Sequence, residues 1–310
     1  MQLDEIRTKA EECGFDLCGM AEAKVPEADK QNIHAWIAKH FYGDMHWYPE
    51  RNHIRLDFAN LGFIPKSLIA LACRYKDSGY DSFVQQKQIK ISSYALGKDY
   101  HKVLRRKAKP LLRWLQEKNP KAKFRQSVDS LPVPEKVLAR EAGLGWIGKN
   151  TNLIHPKQGS FFFLSLVLTD LELQATTKPI TDRCGKCRAC LDACPTQALQ
   201  PYQIDARKCI SYLTIESQQD VPKNLQGKLE NWIYGCDICQ EVCPWNRPVR
   251  PGSERAIYTE EKDFLIGEAW NKLDKENLAS ISEQDFTELS QESAISRISY
   301  ERFQRNIRNS

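Results

Sequence analysis

The chain has 310 residues, 41% apolar and 27% charged, with a net charge of +5. That balance is ordinary for a globular protein of one or two domains and excludes a disordered, collagenous or low-complexity chain. No apolar run is long enough to span a bilayer, the longest being residues 161–168. Met1-Gln2-Leu3-Asp4-Glu5 lacks the basic-then-apolar layout of an export signal.

In chain order, residues 1–25 read as an amphipathic helix running into Gly14-Phe15-Asp16, then a short strand. Residues 67–75 and 89–94 read as strands, and 124–129 as a third that ends on a carboxylate. Pro132 and Pro134 are start signals for a helix over residues 135–142, and residues 160–169 are strongly β-prone. The alternation of helix and strand predicts one α/β domain over residues 1–175. Thr176-Thr177-Lys178-Pro179 reads as a hinge, followed by a cysteine-rich domain over 176–250. After Pro251-Gly252, a polar tail over 251–310 carries Phe264, Leu265, Trp270, Leu273, Phe286 and Leu289, expected on short helices that pack back on the body. The fold class is α+β.

Charge is unevenly placed. From Lys98 to Arg125, eleven Lys and Arg oppose only Asp99 and Glu117, so this segment carries +9 and the remainder −4. Val103, Leu104, Leu111, Leu112 and Leu115 recur there at helical spacing, which leaves Lys102, Arg105, Arg106, Lys109 and Arg113 on other faces. A solvated helix face and a phosphate-tracking surface both fit that pattern.

The cysteines are more specific. Cys184-x2-Cys187-x2-Cys190-x3-Cys194-Pro195 and Cys236-x2-Cys239-x3-Cys243-Pro244 have the spacing of ferredoxin cubane ligands, and Cys209 supplies an eighth thiolate. Because the cysteine before each proline serves the other cluster, Cys184, Cys187, Cys190 and Cys243 form one group. Cys194, Cys209, Cys236 and Cys239 form the second. A disulfide scaffold belongs to small secreted domains, and structural zinc uses paired knuckles with a longer spacer. Two 4Fe–4S clusters in a reducing cytoplasm are therefore expected. Cys13, Cys18 and Cys73 read as small core residues.

Two motifs are misleading. Gly143-Leu144-Gly145-Trp146-Ile147-Gly148-Lys149-Asn150 matches both G-x-G-x-x-G and G-x4-G-K, but a helix precedes it and Asn150 stands where a P-loop needs Ser or Thr. A glycine turn that lets backbone approach a flat ligand is the better reading. Asp44-Met45-His46-Trp47-Tyr48-Pro49 nearly reproduces a cobalt-ligating D-x-H-x-x-G, with proline in the last place. His46 is read as a surface residue or as one that supports a ligand-binding neighbour.

With these pieces assembled, the chain resembles the epoxyqueuosine reductases, cobalamin-dependent iron–sulfur enzymes of queuosine synthesis in tRNA. The resemblance runs over nearly the whole length. It is carried by Val128-Asp129-Ser130-x-Pro132, the stretch Ala142 to Asn150, Asp205-Ala206-Arg207-Lys208-Cys209-Ile210-Ser211-Tyr212-Leu213-Thr214-Ile215-Glu216, and Ile233-Tyr234-Gly235-Cys236 through Asn246. It implies an N-terminal α/β cobalamin-binding domain of nitroreductase/reductive-dehalogenase-like type, followed by a two-cluster ferredoxin-like domain, in a short form without the C-terminal helical-repeat domain.

By the same resemblance Asp129 is the proton donor and Arg51 contacts cobalamin. His101, in Gly97-x-Asp99-Tyr100-His101, lies on the substrate side, and Ser92, Lys136, Thr151, Leu153, His155 and Ser211 are further cofactor-binding positions. The family often has Glu-Arg where this chain has Glu135-Lys136, which keeps the charge and loses the bidentate fork. Read from residues alone, Asp129 is either a cap of the turn into the next helix or a carboxyl whose pKa rises beside a flat ligand. The implied reaction is a two-electron deoxygenation of epoxyqueuosine in the tRNA anticodon by a monomer that draws on an electron donor. The rivals are a cobalamin and iron–sulfur reductase of a small molecule, a plain electron-transfer ferredoxin, and a non-enzymatic RNA-binding module.

Overall fold

The computed structural model describes residues 2–174, 178–247 and 257–310. The hinge expected from Thr176, the boundaries at 175 and 250, and the Pro251-Gly252 break lie wholly or partly outside the described residues. The strands are β1 (Leu17–Glu22), β2 (Ser67–Arg74), β3 (Lys90–Ile91), β4 (Phe124–Ser127), β5 (Trp146–Ile147), β6 (Leu153–Ile154) and β7 (Phe162–Thr169). Beyond these come β8 (Leu199–Gln200), β9 (Gln203–Ile204) and β10 (Trp232–Tyr234).

The central sheet has the order β1-β2-β7-β4. Strand β2 is buried on both faces, so its sequence is a continuous apolar run rather than an alternation. Successive residues then serve opposite layers. Ile69, Leu71 and Cys73 pack with Ile6 of the Leu3–Glu12 helix and with Val103, Leu104, Leu111 and Leu115 of the Tyr100–Lys118 helix. Leu68, Ala70 and Ala72 pack against Leu138, Ala139 and Ala142 around the Glu135–Glu141 helix. Helices therefore cover both faces.

The sheet corrects the α/β expectation. Every neighbouring pair in it is antiparallel. Strands β2 and β4 do run parallel, joined by the Tyr100–Lys118 crossover helix, but β7 is inserted between them. The alternation in sequence records the crossover; it carries no sign of a strand that arrives later and takes the middle place. A second correction concerns residues 89–94. Only Lys90–Ile91 pairs, in parallel with β10, and Ser93–Ala95 is a 3-10 turn. The amide of Ser93 donates to the Asp237 carboxylate at 2.7 Å, which removes it from any ladder.

The tail packs as expected for most of its apolar residues. Phe264, Trp270 and Phe286 are buried, while Leu265 is exposed. Acidic residues of the tail also claim part of the basic segment: Lys98 pairs with Asp263 at 3.0 Å, Arg106 with the same carboxylate, and Lys107 with Glu261. Among the described residues, Lys102, Arg105, Lys109 and Arg113 make no ion pair. Among the described residues, too, no helix is long and apolar enough to cross a membrane.

Candidate functional site

Strand β4 ends at Ser127, and two residues later Asp129 takes the left-handed conformation, φ 50°. Such a φ is unfavourable for a residue with a side chain, so neighbours must hold it. They do. The Asp129 N–H donates to Glu135 Oε1 at 2.9 Å, and the same oxygen accepts from the Ser127 hydroxyl at 2.6 Å. Pro134, not Asp129, stands at the head of the next helix, so the capping reading of Asp129 is excluded. Its side chain is 70% exposed and points into a cleft. The dehydrated carboxyl is instead Glu135, pushed up to about 7 by burial and, secondarily, by the charge of Asp129.

The partners of Asp129 come from the start of the Tyr100–Lys118 helix. Tyr100 donates its hydroxyl to Asp129 Oδ2 at 3.0 Å, and His101 Nε2 lies 3.9 Å from the same oxygen. Asp99 caps this helix by accepting the His101 N–H at 2.9 Å, and its Oδ1 also holds His101 Nδ1 at 2.8 Å. One carboxylate thus fixes both the helix start and the imidazole orientation. Tyr100 is clamped between His101 and Phe163, with ring centroids 4.0 and 4.4 Å away. Burial, above all, pushes its phenol upward, so it stays protonated as a donor.

The cleft has two adjoining lobes of about 1060 and 840 Å³, with Asp129, Tyr94, Tyr100 and Arg55 on the wall they share. Each lobe reaches the upper end of the roughly 300–1,000 Å³ usual for small-molecule sites. Lys136 and Thr151 line the larger lobe; Arg51, His101 and Ser211 line the other, together with Cys209. Lys136 Nζ donates to the Thr151 carbonyl at 3.1 Å.

Three expected positions lie elsewhere. Ser92 is buried, and its hydroxyl donates to Asp237 beside the cluster cysteines. Leu153 faces the core, because alternate residues of β6 point to opposite sides. His155 folds into its own turn, where Nδ1 accepts the amides of Lys157 and Gln158 at 3.2 Å, and burial lowers its pKa to about 4. A Cβ on Gly145 would lie 2.3 Å from the Ile154 carbonyl, so this glycine permits close approach within the β5–β6 hairpin. His46 is exposed, in line with the surface reading.

Several side chains of the cleft carried no usable signal. Arg297 arrives from the tail and pairs with Glu216 at 2.8 Å. Arg55 is buried, with its guanidinium 3.6 Å from the Tyr48 ring centroid. Glu135 was visible only as half of a charged dipeptide.

Cys184, Cys187, Cys190 and Cys243 surround a cavity of about 40 Å³ beside Trp245. Cys209 lies within electrostatic reach of Cys194, and Cys239 of Cys209, Cys190 and Cys194; Cys236 senses Cys209 and Cys239. None of the eleven cysteines is in a disulfide. Four cysteines around one void suit a polynuclear cluster. Lys149 braces the first loop by donating to the carbonyls of Gly185 and Cys187 at 2.6 and 2.9 Å.

Residues 183–246 match the 4Fe-4S double cluster binding domain family, and residues 55–130 match the family described as epoxyqueuosine reductase QueG. Epoxyqueuosine reductase of Leadbetterella byssophila is 42% identical over 303 residues, covering 98% of this chain and 96% of the relative. The chain belongs to the epoxyqueuosine reductase family. The Escherichia coli K12 epoxyqueuosine reductase is 37% identical, over 96% of this chain and 77% of its own. Among solved structures, an epoxyqueuosine reductase with an epoxyqueuosine-modified tRNA-Tyr stem loop superposes with a TM-score of 0.83 at 28% identity, over 98% of this chain and 79% of that one. A Bacillus subtilis epoxyqueuosine reductase, solved with its catalytic aspartate loop swung out of the active site, gives 0.83 at 27% identity over the same shares. As a member of the epoxyqueuosine reductase family, the chain is an oxidoreductase of tRNA modification with an iron–sulfur domain.

Proposed function

We propose that the chain reduces epoxyqueuosine to queuosine at the tRNA wobble position, with cobalamin in the cleft and two 4Fe–4S clusters delivering electrons. The observation that carries this reading is the placement of Asp129. It stands on the wall that two large lobes share, room enough for a flat cofactor and an extruded base, and the cluster ligand Cys209 lines one of them. The apolar walls, including Tyr94, Val133, Ile147 and Phe163, and polar groups such as Lys136 and Thr151 fit a macrocycle with amide-bearing edges.

Cobalamin, when bound, supplies the low-valent metal chemistry that delivers two electrons to the epoxide carbon. Two electrons and two protons convert the epoxide to an alkene and water. Asp129 gives a proton to the departing oxygen, because an alkoxide leaves poorly. Tyr100 and His101 aim the carboxyl, and Glu135 holds its loop. Arg51, Lys136, Thr151 and Ser211 contact the cofactor or the nucleotide from the walls. The relative whose aspartate loop swings out, and the relative bound to a modified stem loop, support a loop that admits a flipped base. The working state is a cytoplasmic monomer.

The test is anaerobic turnover of epoxyqueuosine-bearing tRNA by the reconstituted protein with cobalamin and a strong reductant, followed by nucleoside mass spectrometry. The base should lose one oxygen, and Asp129→Asn should abolish that loss while the corrin absorbance of the complex persists. Intact clusters and bound corrin without conversion would move the assignment to a small-molecule reductase.

A further inference from the structure

The β5–β6 hairpin lies between the larger lobe, which Ile147 and Thr151 line, and the first cysteine group, which Ile154 lines, and the reaction as derived gives Trp146 and Asn152 no task. Trp146 is 1% exposed, yet its indole N–H has no partner at hydrogen-bonding distance. A buried donor left alone costs about 1–3 kcal/mol, so the fold should offer an acceptor. Its ring stands edge-on to Trp245, with centroids 5.0 Å apart, and packs beside Cys184 and Cys243. The polar atoms packed beside the ring are the sulfurs of Cys184 and Cys243, which makes them the acceptors within its reach.

At the far end of the hairpin, Asn152 Nδ2 lies 3.9 Å from Cys239 Sγ. The amide is oriented from its other side, because Oδ1 accepts Lys136 Nζ at 3.4 Å. The backbone N–H of Asn152 is held by Asn150 Oδ1 at 3.2 Å, and Asn150 Nδ2 donates to the Cys239 carbonyl at 3.1 Å. One short hairpin therefore aims one N–H at each cysteine group. Hydrogen bonds to ligand sulfur stabilise the more negative, reduced cluster and raise its potential.

We propose that Trp146 and Asn152 set the reduction potentials of the two clusters separately, Trp146 through Cys184 and Asn152 through Cys239. The ammonium of Lys136 polarises the Asn152 amide and strengthens its N–H as a donor. A cleft residue is thereby coupled to the potential of the second cluster. The assignment rests on the two-cluster reading of the cysteines.

The experiment is an anaerobic potentiometric titration of the reconstituted protein without tRNA or cobalamin, followed by electron paramagnetic resonance. Trp146→Phe should disfavour reduction of one cluster by roughly tenfold, or 59 mV for one electron, and leave the other in place. Asn152→Leu should do the same to the other cluster, and the double variant should lower both. Two wild-type transitions that neither variant moves, at full iron content, would overturn the assignment, as would a single variant that moves both equally. If Trp146→Phe hinders cluster loading, benzothienylalanine at position 146 removes only the N–H, and an unchanged midpoint there overturns the role of Trp146. Absence of two cluster transitions in the wild type would sink the two-cluster reading itself, a result distinct from failure of these donors.

Discussion

Replacing Glu135 by Gln probes the support under Asp129. The Glu135 carboxyl is raised from 4.5 to about 7, by burial first and the Asp129 charge second. Its ionised form is therefore penalised in the folded chain. The stability it contributes is fully present below about 4.5 and is lost as pH rises through about 7. At 1.36 kcal/mol per pH unit, that difference is at most about 3 kcal/mol. Glutamine keeps an oxygen for the Ser127 hydroxyl and the Asp129 amide but has no charge to bury. Glu135→Gln should thus gain on the wild type between pH 5 and pH 8, with a melting-temperature difference that grows by roughly 5 °C. Anaerobic melts at one scan rate and matched iron content measure it. A difference that does not change with pH, or one that grows in favour of the wild type, refutes the argument. Glu135→Ala removes the acceptor as well. With about 2 kcal/mol no longer holding Asp129 at its left-handed φ, turnover should fall about thirtyfold while cobalamin still binds.

Three further outcomes follow from the contacts. Replacing Arg105 and Arg113 by Gln should reduce the salt dependence of stem-loop binding by about one to two in log–log slope. Arg106→Gln should instead lower the melting temperature and leave that slope unchanged, because Arg106 is engaged with Asp263; binding isotherms at several salt concentrations separate the two. Asp237→Ala leaves the Ser92 hydroxyl and the Ser93 amide buried without their acceptor, at about 1–3 kcal/mol each, and should reduce both melting temperature and retained iron. Trp47, 43% exposed on the rim of the lobe that also holds Arg51, offers a face to an unstacked base. Trp47→Ala should raise the KM for tRNA about tenfold and Trp47→Phe much less, with an unchanged kcat.

The cysteine groups were legible because ligands of one small cofactor must lie close together, and loops achieve that with fixed local spacing. Asp129 was legible as a carboxylate at the end of a strand, though neither its left-handed backbone nor its exposure was. The cleft was harder, because its walls converge through packing rather than spacing. Leu153 and His155 neighbour Thr151 in sequence, yet the alternation of β6 and a tight turn send them elsewhere. Ser92 follows a paired residue but turns to Asp237, more than a hundred positions later. Charge counting met the same limit. Lys98, Arg106 and Lys107 belong to the basic stretch in sequence, and the tail neutralises them in space.

That neutralisation indicates why the C-terminal segment belongs to the catalytic unit. Arg305 donates to the carbonyls of Leu213, Ser217 and Gln219, and Asn306 to those of Thr214 and Ile233. These carbonyls lie on or just beyond the Ile210–Ile215 helix, which begins directly after Cys209, and on β10, which runs into Cys236. Thr214 in turn accepts the Gly235 amide at 2.9 Å, joining the two ligand-bearing segments. The tail therefore fixes two thiolates of the second group while Arg297 closes the lobe in which Asp129 stands. Cleft shape and cluster position share one set of buried hydrogen bonds, so a change in either strains the other. The Tyr300–Asn309 helix thus braces both the segment that follows Cys209 and the strand that leads to Cys236, although it supplies neither cysteine.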